Sequence, residues 1–125
     1  MALCYSYWMA RTILPIVDII RAGVTQAIAS YADITNGHQI MGNDGRSFIE
    51  LVNISNAGSV DATFDVAAVY DGDLTIVDLI VAVAPGGTKY VGPFKRGVFN
   101  QGASQAVYFD IASTGISLRG YRLES

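Results

Sequence analysis

The chain has 125 residues, 51% of them hydrophobic and 15% charged, with a formal net charge of -3. That is the length of one ordinary domain, too apolar and too weakly charged for a disordered chain, and large enough to fold without a disulfide or a metal. Its eight Lys and Arg are scattered from Arg11 to Arg122, so no clustered positive charge is offered to nucleic acid.

The chain opens on an apolar stretch, Met1 to Met9, that holds Leu3, Tyr5, Tyr7 and Trp8 ahead of any strand pattern. Termini are usually polar and frayed, so aromatic side chains there either fill a gap in their own domain or anchor a partner. Leu3, Tyr5, Tyr7 and Trp8 are therefore the candidate partner-binding residues, in an N-terminal arm over 1–11 that precedes a single domain over 12–125. Alternation of Leu3, Tyr5 and Tyr7 suits a strand added to a partner's sheet edge. Folding back over its own domain is the other reading, and a chain start at Met9 is a third. Cys4 has no neighbouring cation and reads as a buried or interface thiol. The first cation is Arg11 and Asp18 interrupts the early apolar run, so no signal peptide is expected.

Ile13 to Ile20 fits either a helical stripe or an edge strand broken by Pro15, and the later strands' need for an edge partner favours the strand. Gln26 to Tyr31 reads as one helical turn. Asn36-Gly37-His38 reads as a loop with an exposed imidazole. Strands are expected over Phe48 to Ile54, Val60 to Tyr70, Leu74 to Val83, Thr88 to Val91, Ala106 to Ile111 and Ile116 to Leu123, where β-branched and aromatic residues gather. Val60, Ala62, Phe64, Val66, Ala68 and Tyr70 share one face, the period of two that a sheet with one wet face requires. Leu74 to Val83 is apolar on both faces apart from Asp78, which makes it a central strand or one that faces another subunit. Asn36-Gly37, Asp44-Gly45, Asp71-Gly72, Gly86-Gly87, Gly102 and Gly115 separate these stretches and mark reversals. The pattern predicts an all-β chain: an antiparallel β-sandwich, jelly-roll or immunoglobulin-like, or a small barrel, with an extended N-terminal arm.

Little in the chain points to catalysis. Nucleophilic chemistry needs a base near Ser or Cys, and the only histidine is His38. Asp61/Asp65 and Asp71/Asp73 read as solvated turn or wet-face residues, and Asp71-Gly72-Asp73 lacks the further oxygen ligands of a calcium loop. With one Cys and one His there is no zinc pattern, and Gly86-Gly87 has no phosphate-loop continuation. No enzyme, cofactor or metal is expected. Asn53-Ile54-Ser55 spells a glycosylation sequon that matters only in a secreted chain. The most apolar run, Leu74 to Pro85, is short and holds Asp78, so no membrane span is expected.

From Met9 onward the order of motifs resembles small structural proteins of tailed bacteriophages. The pieces are Met9-Ala10-Arg11-Thr12, Asn43-Asp44-Gly45-Arg46-Ser47-Phe48, Ala84-Pro85-Gly86-Gly87-Thr88, Val91-Gly92-Pro93-Phe94 and the closing Ile116-Ser117-Leu118-Arg119-Gly120-Tyr121-Arg122-Leu123. The resemblance implies the decoration, or cement, class: small β-rich proteins, often trimers, that sit on the assembled capsid and clamp coat subunits. The aromatic stretch Met1 to Trp8 departs from that pattern. The expected partner is the major capsid protein, with further copies of the chain itself, and the expected place is the capsid surface of a virion assembled in the host cytoplasm. A head–tail connector or tail component, and a carbohydrate- or cell-binding sandwich module, are the alternatives.

Overall fold

Alternating apolar residues and glycine-rich turns divide the chain into short strands, which a computed structural model describes over residues 11–55, 57–67, 69–70, 74–75, 77–102 and 104–123. In chain order these are β1 (Thr12–Ile13), β2 (Ile16–Ile19), β3 (Ser30–Tyr31), β4 (His38–Ile40), β5 (Ser47–Asn53) and β6 (Val60–Phe64). They continue as β7 (Val69–Tyr70), β8 (Leu74–Thr75), β9 (Leu79–Val83), β10 (Thr88–Val91), β11 (Val107–Ile111) and β12 (Ile116–Leu123). One helical turn, α1 (Arg96–Phe99), lies between β10 and β11.

Two five-stranded sheets form, and neither closes. The first runs β1-β4-β11-β6-β9; the second runs β10-β5-β12-β2, with β3 also paired to β12. β7 and β8 make a separate ribbon. Side chains of one parity turn inward from each sheet: Ile49 and Leu51 of β5, Ile116 and Leu118 of β12, Val60, Ala62 and Phe64 of β6, Val107, Phe109 and Ile111 of β11. Phe64 sits between Phe109 and Phe94, each ring centroid 5.2 Å away, and ties the layers' core together. The all-β sandwich expected from the pattern is the observed architecture, and the barrel alternative falls because both sheets have free ends among the described residues.

The sheets are mixed rather than purely antiparallel. β1 pairs parallel with β4, and β2 parallel with β12. Pro15 explains the arrangement: it lacks an N–H and cannot continue a ladder, so the chain leaves one sheet after Ile13 and enters the other at Ile16. Leu14 between them points into the core. β2 lies close over β12 only because residue 120 is glycine. A Cβ there would stand 2.9 Å from the Pro15 carbonyl oxygen and 2.5 Å from the Ile16 side chain.

Four expectations are corrected. Gln26 to Tyr31 is not a helical turn; its end forms β3, and the Ala27 backbone is bonded by the Tyr121 hydroxyl and the Arg119 guanidinium. The strand begun at Val60 stops at Phe64: Asp65 still donates to the Tyr108 carbonyl of β11, but the next N–H, of Val66, leaves the ladder for the Asp78 carboxylate. Leu74 to Val83 is likewise two strands, β8 and β9, with Asp78 at the break. β9 is not central. Among the described residues it is the end strand of the first sheet. The turn pairs Asn36-Gly37, Asp44-Gly45 and Gly86-Gly87 do fall between strands, whereas Asp71-Gly72 lies outside the described residues.

Candidate partner-binding surface

The four residues picked from sequence for partner binding, Leu3, Tyr5, Tyr7 and Trp8, lie outside the described residues, as does Cys4. The described residues begin at Arg11. Arg11, the last residue assigned to the arm, is fastened to the first sheet. Its Nη1 donates to the Asp110 carboxylate at 2.9 Å and to the carbonyls of Phe109 and His38 at 3.1 and 3.3 Å. Its Nη2 stands 3.6 Å from the Asp65 carboxylate, and the guanidinium lies 4.7 Å from the Tyr108 ring centroid. Burial pushes the Asp65 carboxyl above the ordinary range, against the pull of Arg11, with Asp110 and Asp78 adding repulsion. Of Asp61 and Asp65, both read from sequence as solvated, only the first is. Asp61 is exposed, and Asp65 belongs to the Arg11 cluster.

Thr12 continues the attachment. Its N–H donates to the Gly37 carbonyl at 3.0 Å, and its hydroxyl to the Asp33 carboxylate. That hydroxyl and the N–H groups of Asn36 and Thr35 hold the Asp33 carboxyl down to about 2. Gly37 is required where it stands: its φ is +74°, and a Cβ would run into the Asp110 carboxylate and the Arg11 guanidinium.

His38 is not the exposed loop imidazole that Asn36-Gly37 beside it suggests. It is on β4, fully buried, with its ring stacked on Phe109 at 5.3 Å between centroids. Its Nε2 accepts the Asp33 N–H at 2.7 Å. Burial pushes its pKa below the ordinary imidazole value, with Arg11 acting in the same direction and Asp33 and Asp110 opposing.

An open apolar edge lies on the other side of the first sheet. β9 is hydrogen-bonded to β6 on one side, and no strand pairs its other side among the described residues. Ile80 is 59% exposed and Val77, just before the strand, 84%; Leu79 is also exposed. The Gly86-Gly87 turn leads from β9 to β10, which ends the second sheet, so both open edges lie on one flank. Such an edge is a template for strand pairing, which isolated sandwiches usually blunt with charge.

The outer face of the second sheet holds a further constellation that sequence reading missed. Phe48 stacks on Tyr121 at 5.6 Å and meets Tyr90 edge-on at 6.4 Å. Glu50, nearly buried among them, accepts from Arg119 at 2.7 Å and from the Tyr90 hydroxyl at 2.8 Å. That bond to Glu50 raises the Tyr90 pKa above the ordinary phenol value. Beside this face, Pro15, Val17, Ala27, Ile28 and Ser30 line a shallow groove of about 460 Å³.

Asn53 of the sequon is buried, its side-chain amide donating to the carbonyls of Gly58 and Val83 at 3.0 Å, so the fold uses this amide internally. Among the described residues no group of three or more His, Cys, Asp or Glu is placed to hold a metal, and no helix is long and apolar enough to cross a membrane. Set against protein-family models, curated proteins and solved structures, the chain matches none.

Proposed function

We propose that this chain is a virion structural protein, a capsid decoration protein that binds the outside of an assembled capsid and bridges coat subunits. The virion context comes from the motif resemblance. The observation that carries an assembly role is the open apolar edge at β9, where Val77, Leu79 and Ile80 are exposed and the side away from β6 has no strand partner among the described residues. In this reading the edge takes a strand from another chain, whether a second copy or a coat subunit. Backbone bonds give the contact strength, and the alternating side chains give it selectivity. Each such contact removes apolar surface from water at roughly 25 cal/mol per Å², partly offset by the entropy of association. The arm over 1–11 supplies the second contact, extending from a root that Arg11 holds against the first sheet.

A glycan-binding module is the second reading, favoured by the aromatic outer face of the second sheet, where Tyr90 and Tyr31 are each more than 60% exposed. It ranks lower because the polar atoms that would read a sugar are committed to each other: both Glu50 oxygens are already bonded within the protein.

The copy number of this chain in purified particles tests the proposal. A number on the scale of the coat protein supports decoration. A number on the scale of a single vertex supports a connector or tail component instead, and absence from particles overturns a virion role.

A further inference from the structure

His38 is a titratable ring in the core, and a hydrogen bond that it accepts fixes its protonation state. An imidazole nitrogen accepts a bond only through a free lone pair, and Nε2 accepts from the Asp33 N–H at 2.7 Å. The ring is therefore neutral, with its proton on Nδ1, and Nδ1 is buried without a partner among the described residues. The turn that this bond supports, residues 33–37, is also the turn that ties the start of the described chain. Asp33 takes the Thr12 hydroxyl, Gly37 takes the Thr12 N–H, and the His38 carbonyl takes the Arg11 guanidinium.

We propose that His38 is an acid-sensitive latch: a proton on Nε2 breaks its bond to Asp33 and frees turn 33–37 together with Arg11–Ile13, while the rest of the sandwich stays folded. The protonated ring has two donors and no acceptor, so Nε2–H would face the Asp33 N–H, donor against donor. The strand released is a short one: β1 has two residues and, among the described residues, β4 as its one neighbour.

The surrounding charges set the direction. Asp33 in the turn and Asp110 after Phe109 on β11 favour a protonated ring, and Arg11 disfavours it. Burial is the largest influence and leaves the ring harder to protonate than a free imidazole. The opened state therefore takes the proton first. The latch holds fully above about 6.5, the ordinary imidazole value, and weakens as pH falls from there toward the folded value. Asp33, at about 2, stays ionised throughout, so its bond to Thr12 does not itself titrate in this window. In the proposed role the latch makes the root of the arm loosen in acid.

Amide hydrogen exchange on the full chain between neutral and mildly acidic pH tests this, with protection referred to the intrinsic rate at each pH. For one linked proton, protection of the Thr12, Leu14 and Asp33 amides falls by up to about tenfold per pH unit below about 6.5. Leu51 and Leu118, in the second sheet, keep theirs. His38→Gln, which takes up no proton, abolishes the pH dependence. Protection that is flat in the wild type, that falls equally at Leu51 and Leu118, or that falls equally in His38→Gln overturns the latch. The wild-type comparison decides alone should His38→Gln fold poorly.

Discussion

One guanidinium does at Arg11 what a longer strand would otherwise have to do. The ion pair with the half-exposed Asp110 carboxylate is worth little by itself in water. The bonds to the Phe109 and His38 carbonyls matter more, because they occupy backbone acceptors just where β4 begins. Close approach is the common requirement at this end of the molecule. Gly37 leaves room for Arg11 and Asp110, and Gly120 leaves room for the chain between Pro15 and Ile16. At Gly120 the obstacle to a side chain includes a backbone oxygen, which cannot rotate aside. Gly120→Ala is therefore expected to force β2 away from β12 and to cost about 1–3 kcal/mol, the range for overpacking a filled site. Urea denaturation reads it as a lower midpoint at constant slope. A midpoint equal to that of the wild type would mean that β2 does not lie against β12 as described.

At the scale of elements, the liability and the proposed use of the molecule coincide in β9. Its inward residues, Val81 and Val83, are core or near-core, so the strand cannot be made polar throughout without loss of the fold. Ile80 faces outward opposite Thr63 and is free to change. Ile80→Lys places a charge on an edge, as edge strands commonly carry, and an exposed substitution of this kind shifts stability by no more than about 0.5 kcal/mol. The expected outcome in sedimentation is a wild-type chain that self-associates at micromolar concentration and an Ile80→Lys chain that associates more weakly. Equal association would remove β9 from the contact. The position of β9 also marks where the sequence stopped being readable. β-branched and aromatic runs bounded by turn residues located β5, β11 and β12 to within one residue at each end, because that composition is written into consecutive residues. Whether an apolar strand is central or terminal depends on which strands pair with it, and Leu74 to Val83 carries no local record of that. His38 was misplaced for a related reason: its burial comes from Asp33 and Phe109, one a turn away and one on another strand. The Glu50–Arg119 pair, 69 residues apart in sequence, is likewise visible only once β5 and β12 are side by side.

For the whole molecule the question is what the first residues do, since composition alone singled out Leu3, Tyr5, Tyr7 and Trp8. The buried hydrophobic cluster described begins at Leu14 and includes residues of both sheets, and the clamp at Arg11 lies downstream of the aromatic stretch. Deleting residues 1–8 therefore leaves the whole of that cluster and its first tie intact. If the arm is the attachment element, the shortened chain should melt at the temperature of the full chain and fail to join particles that lack the protein. If the arm instead covers its own sandwich, apolar surface is exposed by the deletion at roughly 25 cal/mol per Å², so the melting temperature should fall and any loss of binding should follow unfolding. Thermal melting and particle co-sedimentation of the same preparation separate these outcomes. A shortened chain that is both as stable as the full one and fully incorporated would leave the arm without a part in attachment, and the β9 edge as the surface on which the particle contact has to be sought.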